Sequence, residues 1–413
     1  MKEKTTSRTV KPFKAVTAAV VAFGLTGVMA ACGSTTSAAK GPASTKKAFV
    51  IPAILSESGG AAFLGKEEAQ GLKALEKEVN AQGGIHGTPV EFKLYDNETQ
   101  PSVAVSLASS LLSKNYPVIL NGSVVATDAP VDKLASSNGP VIYDLSPGVH
   151  PAPHSWIFSS GVSTRSQMQA YLHWFKAKGW TRIAAITSTD ASGQDGWTEL
   201  QHALALPQNK GKFKLVAHET FDDTAVSVST QLDRIAQAKP QVIVAWATGS
   251  PIEVVLKDLP QSPAANIPVA TTDGNQTYAE MHAWASFLPK QLYFPAPQLF
   301  AMKYLSGADR KASQTFVSAF KGTGIKPDVG QILSWDPGLI VIHALKQVGV
   351  KATAAQIRHA MDRTENFSGV TGRYNFSPAN HRGIGTNGVW ISRWSAAQNT
   401  WIPVSGPGGT PLP

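Results

Sequence analysis

Cysteine is nearly absent from this 413-residue chain, because it occurs only at Cys32. A single cysteine excludes any internal disulfide. Charged residues are also few, at 16% of the chain, and Lys and Arg form no run interleaved with aromatic residues. The sequence therefore gives little support to nucleic-acid binding. Beyond the N-terminal segment, no stretch is apolar for the roughly 20 residues that a membrane-spanning helix needs.

Catalytic motifs are missing as well. The chain has no Gly-x-Ser-x-Gly, His-Glu-x-x-His or phosphate-binding P-loop. The segment Gly383–Gly388 fits Gly-x-Gly-x-x-Gly, but it precedes a strand pattern and not a helix, which argues against dinucleotide binding. We therefore expect neither an enzyme nor a cofactor or metal site.

The N-terminal 31 residues have the layout of an export signal. Five basic residues and one acid are followed by an uncharged stretch, Ala15 to Ala31, that ends in small residues before Cys32. This ending resembles a bacterial lipobox, in which the cysteine is lipidated after cleavage. An ordinary signal peptide or an uncleaved anchor is the alternative. We expect residues 1–31 to be removed, which would leave a net charge of about +5, and Cys32 to carry the lipid.

Residues 32–46 are mostly Ser, Thr, Ala, Gly and Lys. Few of them could bury apolar surface, so we expect a flexible tether. Together with the signal, the tether predicts a protein anchored at the outer face of the cytoplasmic membrane.

The remaining body alternates short apolar runs with amphipathic stretches, which predicts a parallel α/β fold. Strands are expected at 48–55, 90–94, 117–120, 140–143, 182–187, 214–219, 242–247 and 268–271. Helices are expected at 62–82, 103–114, 127–137, 166–178, 195–206, 228–238, 251–259, 311–321 and 336–348. The tail from Phe376 alternates like β-structure. In this scheme Asp336 begins a helix and serves as an N-cap or a dipole partner.

An ordered set of short segments spans about 47–395 and comprises Gly65, Gly71, Val79–Gly87, Asp96, Gly122–Ser123, Pro140–Ile142, Ser146–Pro147, Asp190–Gly196, Trp335–Asp336 and Phe367–Gly372. This ordered set resembles the branched-chain amino acid–type solute-binding proteins of ABC transporters. The resemblance implies a type I periplasmic-binding fold, in which three crossovers join two doubly wound lobes. We expect lobe 1 to comprise 47–163 with about 297–370, and lobe 2 to comprise 164–296 with about 371–405.

The resemblance also implies a ligand site between the lobes, where strand ends and helix N-termini face each other. Ala126 and Thr127 match the segment that binds the ligand carboxylate, although Thr127 could equally be a plain helix cap. Gly148 would offer its backbone. His150 replaces the usual hydroxyl residue and is either a ligand contact or a surface-loop histidine.

The second lobe supplies further candidates by the same resemblance. Ser192 stands where an aromatic residue is common, which suggests a reshaped pocket. Thr248 and Gly249 match a ligand-lining loop, whereas Trp246 is expected in the core. Asp273 falls where amino acid binders hold an acid that pairs with the ligand ammonium, or it belongs to an Asp-Gly turn. From the first loop, Phe63 either covers the ligand or begins the apolar stripe of a helix.

The sequence thus predicts a monomeric exported binding protein that captures an amino acid or related carboxylate and hands it to an ABC permease. An aromatic acid, an amide or another carboxylate is the alternative ligand. A sensor that presents its closed form to a receptor kinase is the alternative role.

Overall fold

The structure is a computed structural model that describes residues 46–136 and 138–413. Cys32, the export segment and nearly all of the predicted tether lie outside these residues. In the described part of the chain, no helix combines the length and apolarity needed to cross a membrane.

The first lobe is built on a sheet of five parallel strands in the order β2-β1-β3-β4-β5. The strands are β1 Phe49–Leu55, β2 Val90–Asp96, β3 Val118–Asn121, β4 Val141–Asp144 and β5 Ile157–Ser159. β3 and β4 are buried along their whole length, as expected for central parallel strands covered on both faces. The helices between these strands are α1 Ala62–Ala81, α2 Pro101–Leu112 and α3 Val125–Asp132.

The second lobe is built on a sheet of seven strands in the order β14-β13-β10-β9-β8-β6-β7. Five strands run parallel: β6 Arg182–Ser188, β7 Lys214–Phe221, β8 Val242–Trp246, β9 Val269–Ala270 and β10 Leu292–Ala296. The antiparallel edge comes from the predicted β-tail, as β13 Trp390–Ser395 and β14 Thr400–Pro403. The helices of this lobe are α4 Thr164–Ala177, α5 Ala191–Ala205, α6 Ser229–Gln237, α7 Ser250–Asp258 and α8 Tyr278–Ala283.

After β10 the chain returns to the first lobe. There it forms α9 Gly307–Ala319, α10 Val329–Val348, α11 Ala354–Asp362 and the hairpin of β11 Phe367–Ser368 with β12 Arg373–Tyr374. α10 packs against α1, and α11 packs against β4. The chain thus crosses between the sheets three times: after β5, after β10 and before β13. The predicted two-lobed α/β fold is confirmed.

The third crossing lies later in the chain than the sequence analysis proposes. Tyr374 donates a hydrogen bond to the carbonyl oxygen of Ser160 (3.2 Å), and the ring of Phe376 lies 6.0 Å from that of Phe158 on β5. These contacts place the start of the proposed lobe 2 segment 371–405 against the first lobe.

The expected helix start at Asp336 is wrong. α10 begins seven residues earlier, where Asp328 caps it and forms a capping box with Gln331. Asp336 is buried inside the helix and accepts hydrogen bonds from the amides of Val370 (2.8 Å) and Thr371 (2.8 Å). Its carboxylate therefore fastens the 367–372 segment to the helix.

Candidate functional site

A cavity of about 430 Å³ lies between the two lobes. Both sheets contribute the loops that follow their parallel strands, which is where ligands bind in open α/β sheets. The described residues that line the cavity are Gly60, Ala61, Thr99, Gln100, Pro101, Ser123, Val124, Val125, Ala126, Ser146, Pro147, Gly148, Thr164, Asp190, Ser192, Asp195, Asp223, Trp246, Thr248, Ser250, Pro251 and Thr272.

Helix N-termini from both lobes converge on this cavity. The first residues of α2, α3, α4 and α7 line its wall, as do the residues that precede α1. At α3 the N-cap residue Val124 makes no side-chain capping bond, and the same is true of Gly249 before α7. The first amides of a helix have no intrahelical acceptor and carry the positive end of the helix dipole. The amides of Val125 and Ala126 are therefore available to donate hydrogen bonds to a group in the cavity.

The charged side chains of the wall are all acidic. Among the described lining residues, Asp190, Asp195 and Asp223 are acids, and none is Lys, Arg or His. Asp190 is already engaged, because one of its oxygens accepts bonds from the Ser188 hydroxyl (2.6 Å) and the Gly193 amide (2.9 Å). Asp223 is exposed on the loop after β7. Asp195, whose side chain is only 13% exposed, is therefore the carboxylate best placed to meet a ligand.

At the cleft mouth, Asp195 on α5 meets His150 from the loop after β4. The Nε2 atom of His150 lies 2.8 Å from Oδ1 of Asp195 and 4.0 Å from Oε1 of Glu199. The three side chains are close enough to hold a metal ion. However, Arg165 already donates two hydrogen bonds to Glu199, at 2.6 and 2.9 Å. Burial raises the pKa of Glu199, but this hydrogen bonding outweighs it, so the net pKa is lowered. The arrangement is that of an ion-pair network, which we call the mouth network (His150, Arg165, Asp195, Glu199 and His202).

Arg382 fixes the loop that carries His150 by hydrogen bonds to its main chain. This buried side chain donates hydrogen bonds to the carbonyl oxygens of Pro147, Val149 and Gly161. Gly161 belongs to the first crossing, and Arg382 itself lies just before the third. Burial lowers the pKa of Arg382 to about 10, which leaves it charged at neutral pH. Arg382 therefore connects two of the hinge segments to the cleft loop.

A second interlobe contact, away from the cavity, is made of buried carboxyl groups. Asp328 of the first lobe accepts a hydrogen bond from the amide of Tyr278 on α8 of the second lobe (2.6 Å). Burial, followed by the charge of Asp328, raises the pKa of Glu67 on α1. The same two causes raise the pKa of Glu280 on α8. We call Glu67, Glu280 and Asp328 the buried acid cluster.

Four of the nine predicted ligand residues line the cavity: Ala126, Gly148, Ser192 and Thr248. The hydroxyl oxygens of Ser192 and Thr248 lie 3.0 Å apart, so α5 and the loop before α7 meet at this point of the wall. A Cβ atom on Gly148 would lie 2.5 Å from Val125 and 3.0 Å from the Oδ2 atom of Asp195. A larger residue there would therefore have to displace the side chain of Val125 in one lobe or of Asp195 in the other.

Four others lie beside the cavity. Thr127 is fully buried, and its hydroxyl donates to the carbonyl oxygen of Val124 (2.9 Å). The N-cap of α3 is Val124 and Thr127 is the third residue of the helix, so the helix-cap alternative for Thr127 is wrong. His150 belongs to the mouth network. Phe63 and Gly249 face each other across the cleft, because a Cβ on Gly249 would lie 3.3 Å from the Phe63 ring. Gly249 has a φ of 78°, a conformation that side chains rarely adopt.

Asp273 is placed in the hinge. It lines a separate cavity of about 20 Å³, together with residues of the three crossings such as Gly161, Pro297 and Val389. Burial raises the pKa of Asp273 to about 6, and its Oδ1 accepts a hydrogen bond from Thr272 (3.0 Å). The cavity geometry therefore gives its expected ammonium role no support, and that role stays a prediction.

Sequence reasoning missed Asp195 and Trp246 as wall residues. Trp246, at the end of β8, is 2% exposed and belongs to the hydrophobic core as predicted, and it also lies in the cavity wall. Gly196 on α5 leaves room for its indole, because a Cβ there would overlap the ring. Asp195 lies in the Asp190–Gly196 motif that carried the resemblance, five residues after the capping residue Asp190.

Two lobes that enclose a cavity at their strand ends define a ligand-binding protein of the hinged, two-lobed class. The family model described as periplasmic binding protein matches residues 49–399, and the chain belongs to this family. The resemblance inferred from sequence is thus confirmed. The family is one of solute-binding proteins and not of enzymes. The comparison with curated proteins finds no match.

Solved structures share the fold at low sequence identity. An extracellular ligand-binding receptor from Rhodopseudomonas palustris HaA2 is 20% identical, with a TM-score of 0.75 over 87% of this chain and 100% of its own. A solute-binding protein of an ABC transporter from R. palustris, solved with benzoate, is 20% identical, with a TM-score of 0.72 over 89% and 98%. The branched-chain amino acid transporter substrate-binding protein LivJ of Streptococcus pneumoniae, solved with isoleucine, is 18% identical, with a TM-score of 0.69 over 87% and 99%.

Proposed function

We propose that this chain captures a small polar solute, an amino acid or a related carboxylate, in the interlobe cavity and delivers it to an ABC permease. The observation that carries the proposal is the pairing of opposite features in one wall. Helix N-termini attract an anionic group, and Asp195 attracts a cationic one. A zwitterion satisfies both.

The amides of Val125 and Ala126 would receive the ligand carboxylate, with the hydroxyl groups of Ser123 and Ser146 beside them in the wall. The carboxylate of Asp195 would receive the ammonium group. Hydrogen bonds to charged groups are worth about 1.5–3 kcal/mol each, so a few of them account for tight binding of a small ligand.

The volume of the cavity, about 430 Å³, suits a small molecule and falls within the usual range of ligand sites. Trp246 lies in the wall at its second-lobe side but is only 2% exposed. One neighbour in fold is a structure with benzoate, which supports the alternative ligand, an aromatic acid. The isoleucine of another neighbour supports the amino acid.

Delivery of the ligand to a permease would depend on closure of the two lobes about the hinge. Closing the lobes over a ligand buries it and creates a joint surface of both lobes, which a permease can recognise. We infer that a lipid on Cys32 would hold the protein at the membrane beside that permease. The same joint surface could serve a receptor kinase, and the sensor role stays the alternative.

Calorimetric titration with a panel of α-amino acids, their amides and simple carboxylates, benzoate included, tests the ligand class. We expect a zwitterion to bind with 1:1 stoichiometry. The Asp195→Asn variant should bind it roughly 10- to 100-fold more weakly, because a charge-assisted hydrogen bond is lost. Asp273→Asn is the matched control and should leave the affinity nearly unchanged.

If Asp273→Asn weakens binding and Asp195→Asn does not, Asp273 is the residue that pairs with the ligand ammonium group. Binding of benzoate or another simple carboxylate without any α-amino acid would establish the alternative ligand. If no panel member binds, the proposed ligand class is wrong.

A further inference from the structure

The second-lobe wall of the cavity carries a pair of hydroxyl groups. The Oγ atom of Ser192, in the first turn of α5, lies 3.0 Å from the Oγ1 atom of Thr248, in the loop between β8 and α7. Both residues line the cavity and are partly exposed. In the described part of the chain, neither hydroxyl has another hydrogen-bond partner. Since one hydroxyl donates to the other, the pair keeps one O–H donor and several acceptor lone pairs for a ligand.

Other groups in this part of the wall offer a ligand less. The hydroxyl of Thr272 already donates to the Oδ1 atom of Asp273 (3.0 Å). The indole of Trp246 is almost fully buried, because Gly196 lets α5 cover it. A ligand that reaches this part of the wall therefore meets the hydroxyl pair and very little of the aromatic ring.

The hydroxyl pair lies close to the carboxylate that is proposed to bind the ligand ammonium group. Ser192 and Asp195 are three residues apart on α5, and both line the cavity. Residues at this spacing share one face of a helix, with their Cβ atoms about 5–6 Å apart. An amino acid bound at Asp195 can therefore place the γ or δ atoms of its side chain against the pair.

We propose that the ligand is an amino acid whose side chain carries a hydroxyl or carboxamide group, and that Ser192 and Thr248 bind this group. An aliphatic side chain in the same place would bury the pair without satisfying its donor and acceptors, which is unfavourable. The acidic side chain of Asp190, in the same wall, opposes a side-chain carboxylate. This inference rests on the proposed function, because it takes the cavity to be the site of an amino acid.

The test compares amino acids of nearly the same shape that differ in one polar group: threonine with valine, and asparagine with leucine. Calorimetric titration of the native protein gives the affinity ratio of the polar to the apolar member of each pair. We expect both ratios to be roughly 10 or more, because a site with buried polar groups rejects an analogue that leaves them unpaired. Aspartate and lysine complete the panel and should bind more weakly than asparagine.

The double variant Ser192→Ala/Thr248→Val removes both hydroxyl groups with little change of volume. It should bring both ratios close to 1 and should bind valine and leucine more tightly than the native protein does, a gain that misfolding cannot produce. Thr198→Val is the matched control, because Thr198 lies on the same helix, is exposed and is not among the described residues of the wall. This control should keep the native ratios.

If the native protein binds valine and leucine as tightly as threonine and asparagine, the inference is wrong, while the proposed function stands. The inference is also wrong if aspartate or lysine binds more tightly than asparagine, or if the double variant keeps the native ratios. If no amino acid binds the native protein, the proposed function itself fails, and this inference fails with it.

Discussion

Two contacts join the lobes by charged side chains, and they follow opposite physical rules. The mouth network pairs unlike charges near solvent, and the His150 side chain is 43% exposed. The buried acid cluster brings three acidic side chains together away from solvent, with Glu280 and Asp328 almost fully buried. Exposed pairs of unlike charge contribute little to stability. Buried carboxyl groups favour their neutral forms, so their effect depends strongly on pH.

This difference indicates that the two contacts have different roles. The buried cluster can hold the lobes together through neutral, hydrogen-bonded carboxyl groups, at a cost that grows as pH rises. The mouth network joins the lobes beside the cavity through partly exposed groups of opposite charge. Changes in the buried acid cluster should therefore alter the free energy of unfolding more than changes in the mouth network do.

The largest expected effect on stability concerns the buried acid cluster. The pKa of Glu67 is raised in the folded protein above its ordinary value of 4.5. Above pH 4.5 the unfolded chain therefore binds fewer protons than the native protein, and the free energy of unfolding falls as pH rises. The free energy of unfolding, measured by urea denaturation, should fall between pH 5 and 8 by about 2 kcal/mol less in Glu67→Gln than in the native protein.

The exposed Glu91 on β2 provides the control, because Glu91→Gln should leave the native pH dependence unchanged. Other buried carboxyl groups also have raised pKa values, to about 8 for Glu68 and about 6 for Asp132, so part of the fall will persist in Glu67→Gln. Identical pH profiles for Glu67→Gln and the native protein would contradict the cluster's assigned role.

A smaller effect is expected at the mouth. A double-mutant cycle on His150→Ala and Asp195→Ala should give a coupling free energy of unfolding below about 1 kcal/mol at pH 6, because the pair is partly exposed. Urea denaturation of the four proteins measures it. A coupling above about 2 kcal/mol would show that the mouth network stabilises the closed lobes as strongly as the buried cluster, and the comparison would fail.

The fold was predictable because parallel α/β structure leaves a clear periodic pattern in the sequence. The predicted bounds of elements such as β6 and α1 lie within one residue of the observed bounds. The pattern failed where tertiary contacts define an element. β5 has three residues and α8 has six, too short for a period to show. The start of α10 was missed although Asp328 and Gln331 carry a capping-box signature, since its apolar residues are buried all round and show no stripe.

The site was predictable in part for the same reason. Ala126, Gly148, Ser192 and Thr248 follow strand ends, and the topology brings strand ends together. Sequence position alone could not show which cavity Asp273 faces. Thr272 lines the cleft cavity, whereas the next residue, Asp273, lines the small cavity in the hinge. Nor could sequence position pair His150 with Asp195, which are 45 residues apart and belong to different lobes.

The central claim, that the start of α3 receives the anionic group of a ligand in the cleft, is tested most directly by removing one amide. Val125→Pro deletes the first N–H of α3 at the helix position where proline is best tolerated, and the preceding Val124 is already extended. Val125→Ala controls for the lost side chain, and Ala354→Pro makes the same change at the start of α11.

Calorimetry with the tightest-binding probe of the panel is the measurement. We predict that Val125→Pro weakens binding about tenfold, as expected for a lost hydrogen bond to a charged group, while the two controls bind within about twofold of the native protein. Native affinity in Val125→Pro, with the fold intact, would contradict the account.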